Sequence, residues 1–275
     1  MNHRLASAFT AGENAYTEML DKVKAEFLWS AVRPFGNSKQ LQRVREYIEM
    51  RCELQPQQNK DPIQNPTFGC FPELSAKAWH EASDFPWTEE LIQGYSGIRN
   101  EFNEMRSASA FRAQHRTSQM KGSWDVYYFF AFGRKTIANC RSCPKTTYLI
   151  QKVPGAASGG IILFSSLSPG FHVSPHCGTS NTRLRCHLGI KIPEGCSIRV
   201  GSEERLWSEG QCLVFDDSFE HEAWNRSDED RWVLLLDFWH PELTEVETKA
   251  LSRLNHLFKQ ERQLRSALLS REATP

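Results

Sequence analysis

The sequence has no excess of charge of either sign and no long apolar run. Its 33 basic and 33 acidic side chains balance, which excludes the general basic footprint of a nucleic-acid-binding protein and disfavours binding to a polyanionic membrane. No stretch approaches the roughly 18 consecutive apolar residues of a transmembrane helix. The first residues, MNHRLASAFTAGENAY, lack the apolar core of a signal peptide. We therefore expect a cytoplasmic protein without a nucleic-acid or membrane partner.

Cysteine motifs are also scarce. The chain has eight cysteines, and a cytoplasmic setting predicts that they are mostly thiols. Cys140 and Cys143 form a lone CxxC, but a zinc site would need two further ligands and no second CxxC exists. We favour a plain loop or a local disulfide over zinc at this position.

The distribution of patterns predicts a helical cap at 1–58, a connector and helices at 59–123, a β-rich core at 124–245 and a C-terminal helix at 246–275. In the cap, LQRVREYIEMRCEL carries apolar residues at helical spacing, which favours a packing role over a separate binding module. The stretch 55–69 is rich in Pro and Asn and is typical of a connector.

Within these regions, helices and strands are assigned from the spacing of apolar residues. Residues 88–105, TEELIQGYSGIRNEFNEM, predict one amphipathic helix that packs on the core. From Trp124 the pattern becomes typical of strands, and we assign WDVYYFFAF, TTYLIQKV and GIILFSSL to them. The tail after Pro241 predicts a surface helix.

Alternation is strongest at 183–188. Arg183, Arg185 and His187 fall on one face of a strand, whereas Leu184, Cys186 and Leu188 fall on the other. In a closed barrel the polar face would point inward, and buried charge without a partner is costly. An anion bound inside would resolve this conflict.

Two histidines and one more arginine accompany this strand. His176 lies upstream in a turn flanked by Pro and Gly, and His221 lies downstream in DDSFEHEAWN. Arg231 shares a strand face with Val233 and Leu235, so that it too would point inward.

The stretches SPHCGTSNTRLRCHLGIKIPEGC, EGQCLVFDDSFEHEAWN and DFWHPELT resemble the aspartyl/asparaginyl β-hydroxylase family. The resemblance is dense over about 160–245 and weaker back to FPELSAKAW at 71–79. These enzymes are iron(II)- and 2-oxoglutarate-dependent oxygenases. The resemblance implies a mainly β fold with helical additions: a double-stranded β-helix (jelly roll, cupin-like) with N-terminal and C-terminal helices, and residues 124–245 as its catalytic core.

By this resemblance His176 and His221 bind iron. The common non-haem iron motif is HxD with a later His, but Gly178 stands at the carboxylate position, as it also does in the resembled family. Two unrelated histidines in turns are the alternative. Glu222 should point away from His221, and we expect His172 to be a buried, hydrogen-bonded histidine. The vacant position would take water, or a halide as in related halogenases.

The resemblance also assigns the cosubstrate contacts. Arg231 would hold the distal carboxylate of 2-oxoglutarate with help from Ser165, because a guanidinium can bind a carboxylate bidentately. Arg185 and His187 would contact its other end, and Trp124 would line the pocket. The alternative for Arg231 is a pairing with Asp228 or Asp230 at the strand mouth.

Arg183 lies on the substrate side by the same resemblance. Two departures from the family, Gln119 for an arginine and Val126 for a polar residue, weaken the case for an acidic peptide. The implied reaction uses iron(II), 2-oxoglutarate and O2 to hydroxylate an unactivated C–H bond of an Asp/Asn-type residue in a peptide, or of an amino-acid-like molecule or natural product. Lipids are disfavoured by the missing membrane segment.

Two other hypotheses about the function remain. One is a non-catalytic jelly-roll metal-binding protein, and the other is a regulatory or scaffold relative that has lost the reaction. The intact set His176, His221, Arg185 and Arg231 favours the enzyme. The sequence leaves substrate identity and oligomeric state open.

Overall fold

The computed structural model describes residues 2–57, 61–107, 112–115, 123–156 and 158–272, and it describes side chains in these ranges except at 2–15, 112–115, 262 and 264–272. The chain divides into two compact units. One comprises 1–58, 68–73 and 243–275, and the other comprises 59–67 and 74–242.

The first unit is helical. It contains α1 (Asn2–Val32), a short 3-10 turn (Arg33–Phe35), α2 (Gln42–Arg51) and α7 (Glu245–Glu272). The α2 residues Val44 and Ile48 are buried as the periodicity predicts, and α7 buries Leu251 and Leu254. The C-terminal helix is thus confirmed, although one of its faces is packed rather than exposed, because its apolar residues recur at helical spacing.

The second unit is built on two antiparallel sheets. The larger contains β1 (Trp79–His80), β2 (Arg112–His115), β3 (Trp124–Ala131), β4 (Arg134–Lys135), β5 (Ile161–Leu167), β7 (Arg183–Lys191), β10 (Cys212–Phe215) and β12 (Arg231–Trp239). The smaller contains β6 (His172–His176), β8 (Cys196–Val200), β9 (Glu203–Leu206) and β11 (His221–Asn225).

The strand order confirms the predicted jelly roll. The core strands run β10-β7-β12-β5 in the larger sheet and β6-β11-β8-β9 in the smaller one. From β5 to β12 the chain changes sheet at each step except β8–β9, which pair in the smaller sheet. An apolar cluster between the sheets draws Leu163, Val233 and Phe215 from the larger and Ile198 and Val200 from the smaller. The inner faces of both sheets therefore enclose the interior where the polar face of β7 was expected.

Helices cover the outer face of the larger sheet. They are a 3-10 turn (Ala82–Asp84), α3 (Pro86–Gln93), α4 (Tyr95–Ser107), α5 (Ile137–Ser142) and α6 (Pro144–Ile150). The single helix predicted at 88–105 is wrong, because the chain breaks into α3 and α4 at Gly94. A Cβ there would lie 2.3 Å from Leu149 Cδ1 of α6, so glycine permits this close approach.

The strand predicted for TTYLIQKV is also wrong, since its first five residues lie in α6. Pro144 occupies the first turn of that helix. The Glu101 carboxylate accepts the backbone N–H groups of Lys145 at 2.8 Å and Thr146 at 2.9 Å. A side chain from α4 thus caps the helix, which local periodicity does not reveal.

All eight cysteines are free thiols, as predicted. Cys140 lies within α5 and Cys143 directly before α6, both as free thiols, so the plain loop or local disulfide favoured for this CxxC is wrong. Both are buried, and Cys140 Sγ lies 3.5 Å from the Phe129 carbonyl. Across the described ranges, no helix is long and apolar enough to cross a membrane.

Candidate active site

His176 and His221 meet where β6 ends and β11 begins. They are register partners in the smaller sheet, and their ring centroids lie 4.1 Å apart. The ring of His221 is buried, whereas His176 is exposed. The fold thus brings together two histidines that the sequence places far apart.

Both rings are oriented by a backbone carbonyl two residues upstream. His176 Nδ1 lies 2.8 Å from Ser174 O, and His221 Nδ1 lies 2.9 Å from Phe219 O. A carbonyl can only accept, so each Nδ1 carries a hydrogen, and in the neutral ring Nε2 then has the lone pair. This is the tautomer in which Nε2 can ligate a metal.

No carboxylate completes a triad with this pair. No cluster of three or more potential metal ligands occurs in the described part of the chain. Gly178 N donates to Asp217 O at 2.6 Å, and a Cβ on Gly178 would lie 2.6 Å from Asp217 Cγ. The space next to Gly178 is therefore filled by Asp217.

Glu222 and His172 are close in sequence to the histidine pair, but their side chains point away from it. Glu222 accepts from Arg199 Nε at 2.6 Å and lies 2.9 Å from His172 Nε2, so it faces away from His221 as expected. The expectation that His172 is buried is wrong. Its side chain is 42% exposed and stacks on Trp224, because its strand face points to solvent.

The polar face of β7 lies inside the jelly roll. His187 packs against Phe215 of the interior cluster, while Leu184, Cys186 and Leu188 belong to the apolar cluster on the outer face. The predicted alternation is confirmed. The interior consequently receives two guanidinium groups and one imidazole.

Arg185 already has two anionic partners. Its Nε donates to Asp237 Oδ1 at 2.8 Å, and its Nη1 lies 3.0 Å from Asp217 Oδ2. Burial opposes its charge, but the two carboxylates outweigh burial and raise the pKa of Arg185. Burial raises the pKa of Asp217, although Arg185 acts in the opposite direction. Arg185 is therefore a charged group locked in an ion-pair network.

Arg183 lies two residues before Arg185, on the same face of β7. Its Nη1 donates to Gly159 O and its Nη2 to Thr179 Oγ1, both at 2.8 Å. The guanidinium carbon lies 5.5 Å from the ring centroid of Phe132, which is 43% exposed at the β3–β4 turn. Arg183 thus remains partly open to solvent, with some N–H groups left for a ligand.

Arg231 and His187 carry buried nitrogens that have no hydrogen-bond partner among the described residues. Arg231 is 3% exposed, and its Nε and Nη1 have no hydrogen-bond partner among the described residues. Burial lowers the pKa of Arg231 to about 9. The alternative pairing at the strand mouth is not observed for Asp230, which instead lies 3.6 Å from Arg106. His187 Nε2 is similarly unsatisfied, so the site has the donors that a buried anion requires.

Trp124 and Ser165 lie together on neighbouring strands. Trp124 Nε1 donates to Ser165 Oγ at 2.9 Å, and Ser165 pairs in register with Val126 and Val233. Val126 is buried in the interior cluster, which accounts for an apolar residue at this position. Gln119 lies outside the described residues.

The connector contributes contacts that the sequence did not predict. Gln64 Nε2 donates to Asp216 Oδ2 at 3.1 Å and to Ser218 Oγ at 2.9 Å, and all three residues are buried. These bonds hold the turn whose Phe219 carbonyl orients His221. Thr67 N also donates to Gly178 O at 3.1 Å. A Pro- and Asn-rich composition carries no signal of such contacts.

The pKa of Asp216 gives a testable pH dependence. Burial raises it to about 7, so the folded state holds a proton that the unfolded carboxyl, with a pKa of about 3.9, releases. The contribution of this bound proton to the stability of the folded state is present at low pH and is lost as pH rises through about 7. Relative to Asp216→Asn, the wild type should lose about 2 kcal/mol of unfolding free energy between pH 5.5 and 7.5.

Urea unfolding of the metal-free protein at the two pH values measures this difference. Burial lowers the pKa of His221 to about 3, which acts in the opposite direction but equally in both proteins. Parallel pH profiles for the wild type and Asp216→Asn would contradict the prediction.

A family model described as Aspartyl/Asparaginyl beta-hydroxylase matches residues 93–241. The human aspartyl/asparaginyl beta-hydroxylase is 37% identical over 186 residues, which cover 65% of this chain and 24% of that protein. The chain therefore spans about a quarter of that relative's length.

Two further similarities accompany this match. The ornithine lipid ester-linked acyl 2-hydroxylase of Rhizobium tropici is 35% identical over 172 residues, which cover 59% of this chain and 60% of that protein. Among solved structures, a cupin domain of a transcriptional regulator from Enterobacter cloacae aligns with 29% of this chain and 81% of that one, at 16% identity and a TM-score of 0.26.

Proposed function

The chain belongs to the aspartyl/asparaginyl β-hydroxylase family, and on this premise we propose that it is an iron(II)- and 2-oxoglutarate-dependent dioxygenase. It hydroxylates an unactivated C–H bond of an Asp/Asn-type residue in a peptide or of an amino-acid-like molecule. The observation that carries the proposal is the histidine pair, with both Nδ1 atoms held by backbone carbonyls, in the same jelly roll as three buried nitrogens, Arg231 Nε and Nη1 and His187 Nε2, that have no hydrogen-bond partner among the described residues.

Iron would be held by His176 and His221. Their Nδ1–H groups are engaged by Ser174 O and Phe219 O, so no ring has to reorient before it binds. Iron(II) bound there supplies, with dioxygen and 2-oxoglutarate, the oxidising chemistry that hydroxylates a C–H bond and yields succinate and carbon dioxide.

The dicarboxylate cosubstrate would satisfy the buried donors. We assign its distal carboxylate to Arg231 with Ser165, and the other end to His187 with a smaller contribution from Arg185. The reason is that Arg185 is already neutralised by Asp217 and Asp237. Trp124 fixes the Ser165 hydroxyl by its hydrogen bond. The surrounding apolar cluster excludes water, which strengthens each charge-assisted contact.

We assign Arg183 to the substrate. Its partly open guanidinium suits the acidic side chain that the name of the human relative implies, and Phe132 presents an exposed aromatic face beside it. The name of the Rhizobium relative specifies an acyl lipid. Acidic peptides, free amino acids and acyl lipids are therefore the three substrate classes to screen.

Succinate release with iron(II), ascorbate and 2-oxoglutarate tests the reaction. A gain of about 16 Da on a substrate identifies hydroxylation, and chloride or bromide buffers reveal halogenation by a heavier product. Iron-dependent succinate formation is the expected result. A protein that binds iron but forms no succinate with any substrate class would instead support a non-catalytic metal-binding protein.

Gly178, at the position that a carboxylate ligand takes in the common iron motif, provides a further prediction. In Gly178→Ala the new Cβ would meet Asp217 Cγ at 2.6 Å and the rigid backbone oxygen of Asp217 at 2.8 Å. The turn after His176 must therefore shift, and we expect a loss of about 1–3 kcal/mol in unfolding free energy together with weaker iron binding. Gly178→Asp carries the same clash and should bind iron less well than the wild type.

Gly97→Ala is the matched control, because its Cβ would approach only the flexible Lys145 side chain, at 3.2 Å, and Gly97 lies within α4. It should be neutral or slightly stabilising. Thermal unfolding and iron titration measure both variants. A Gly178→Ala protein as stable as Gly97→Ala would refute the steric argument.

A further inference from the structure

Trp207 contacts both Arg231 and His187, the two site residues that carry unsatisfied buried nitrogens within the described part of the chain. It follows β9, is 4% exposed and belongs to the interior cluster. The guanidinium carbon of Arg231 lies 4.5 Å from its ring centroid, and the ring of His187 stacks at 5.9 Å with an interplanar angle of 27°. One indole thus touches the two groups that we assign to opposite ends of the cosubstrate.

Its N–H group fixes the tautomer of His187. Trp207 Nε1 donates to His187 Nδ1 at 3.2 Å. An indole N–H can only donate, so His187 Nδ1 must be the unprotonated nitrogen. Burial and the neighbouring Arg231 lower the pKa of His187, which keeps the ring neutral. His187 Nε2 therefore carries the single hydrogen and is a donor without an acceptor.

The ring face of Trp207 acts on Arg231. A guanidinium over an indole gains a cation–π attraction that increases when water is excluded. Arg231 Nε and Nη1 have no partner in the described part of the chain, so the indole is the contact that keeps this cation in place before an anion binds.

We propose that Trp207 is the positioning residue of the cosubstrate pocket: its N–H sets His187 as an Nε2 donor, and its ring holds the Arg231 guanidinium ready for a carboxylate. This inference rests on the proposed 2-oxoglutarate dependence. It adds a residue that neither the resemblance nor the alternation of strands identified.

Trp207→Phe separates the two roles, because it keeps an aromatic face and removes the N–H. Trp79→Phe is the matched control. Trp79 lies in the same interior cluster and is 6% exposed, but its Nε1 has no hydrogen-bond partner among the described residues. Both variants lose the same indole N–H, and only one of them loses a hydrogen bond.

The first measurement is the dissociation constant of 2-oxoglutarate, by calorimetry on manganese(II)-loaded protein under argon. Loss of one orienting hydrogen bond should weaken binding about three- to tenfold in Trp207→Phe, and Trp79→Phe should match the wild type. Trp207→Leu removes both contacts and should weaken binding about a hundredfold. Equal affinities in Trp207→Phe and the wild type would overturn the inference.

The second measurement does not depend on ligand. Imidazole nitrogen chemical shifts of His187 in the metal-free, nitrogen-15-labelled protein should report one tautomer in the wild type and in Trp79→Phe, and a mixture in Trp207→Phe. A single unchanged tautomer in Trp207→Phe would also overturn the inference, since a packing role alone leaves the tautomer fixed.

A second comparison, in the His187→Leu variant, covers the case in which the Trp207→Phe protein folds poorly. There the Trp207→Phe change should have no further effect on affinity, because the hydrogen-bond partner is already absent. His187→Gln should retain most of the affinity, since its amide can accept from Trp207 and donate to the ligand. Failure of His187→Gln to retain this affinity would contradict the orienting role.

A wild type that does not bind 2-oxoglutarate would overturn the proposed function, whereas binding with equal affinities in the variants overturns only the role of Trp207.

Discussion

His221→Ala and His176→Ala should each lower iron(II) affinity by about a hundredfold or more and reduce succinate formation in proportion. A site with two protein ligands has no redundancy, and even changes to groups that only orient such ligands cost about 10–100-fold. Iron content after equilibrium dialysis and succinate release measure the two effects, which should fall together.

His172→Ala is the matched control for these variants. His172 lies on the same strand as His176, but its side chain faces solvent and contacts Glu222 and Trp224. Its replacement should leave iron content and succinate release at the wild-type values. Full activity in either His176→Ala or His221→Ala would remove the proposed metal site.

Arg231→Met should separate stability from cosubstrate binding. It removes the guanidinium that we assign to the distal carboxylate, and loss of a buried charge pair costs about 2–5 kcal/mol. The 2-oxoglutarate requirement should therefore rise by about 30- to 4000-fold. In the ligand-free protein the same change removes a buried cation whose Nε and Nη1 have no hydrogen-bond partner among the described residues, and we expect unfolding free energy to increase by about 1–3 kcal/mol.

The 2-oxoglutarate requirement is measured by succinate formation against 2-oxoglutarate concentration. The unfolding free energy is measured by urea unfolding without ligand. Arg226→Met is the control, because that arginine is exposed and stacks on Trp224 at the outer face of the smaller sheet. An unchanged 2-oxoglutarate requirement in Arg231→Met would mean that another cation binds the distal carboxylate.

Local patterns predicted the parts of this protein that neighbours along the chain specify. Alternation over 183–188 placed Arg183, Arg185 and His187 on an inner face, and the structure confirms it. The contexts of His176 and His221 predicted that they would act together. Such inferences succeed because a strand turns successive side chains to opposite faces whatever the rest of the fold does.

Contacts between distant segments were not predictable in this way. TTYLIQKV has the composition of a strand, but its first five residues belong to α6, where the Glu101 carboxylate accepts the backbone N–H groups of Lys145 and Thr146. Arg185 was expected to be available to the cosubstrate, yet Asp217 and Asp237 occupy its N–H groups. Nothing in the local sequence specifies these partners.

The sequence by itself predicted the jelly roll and the pair of histidines through its resemblance to the family, and the inward arginines through strand alternation. Only the tertiary structure decided that Gln64 holds the turn before His221, that Asp217 fills the space beside Gly178, and that Trp207 orients both His187 and Arg231. These roles depend on side chains from separate strands and from the connector meeting in one interior, where burial makes each unsatisfied donor or charge costly and so selects its partner.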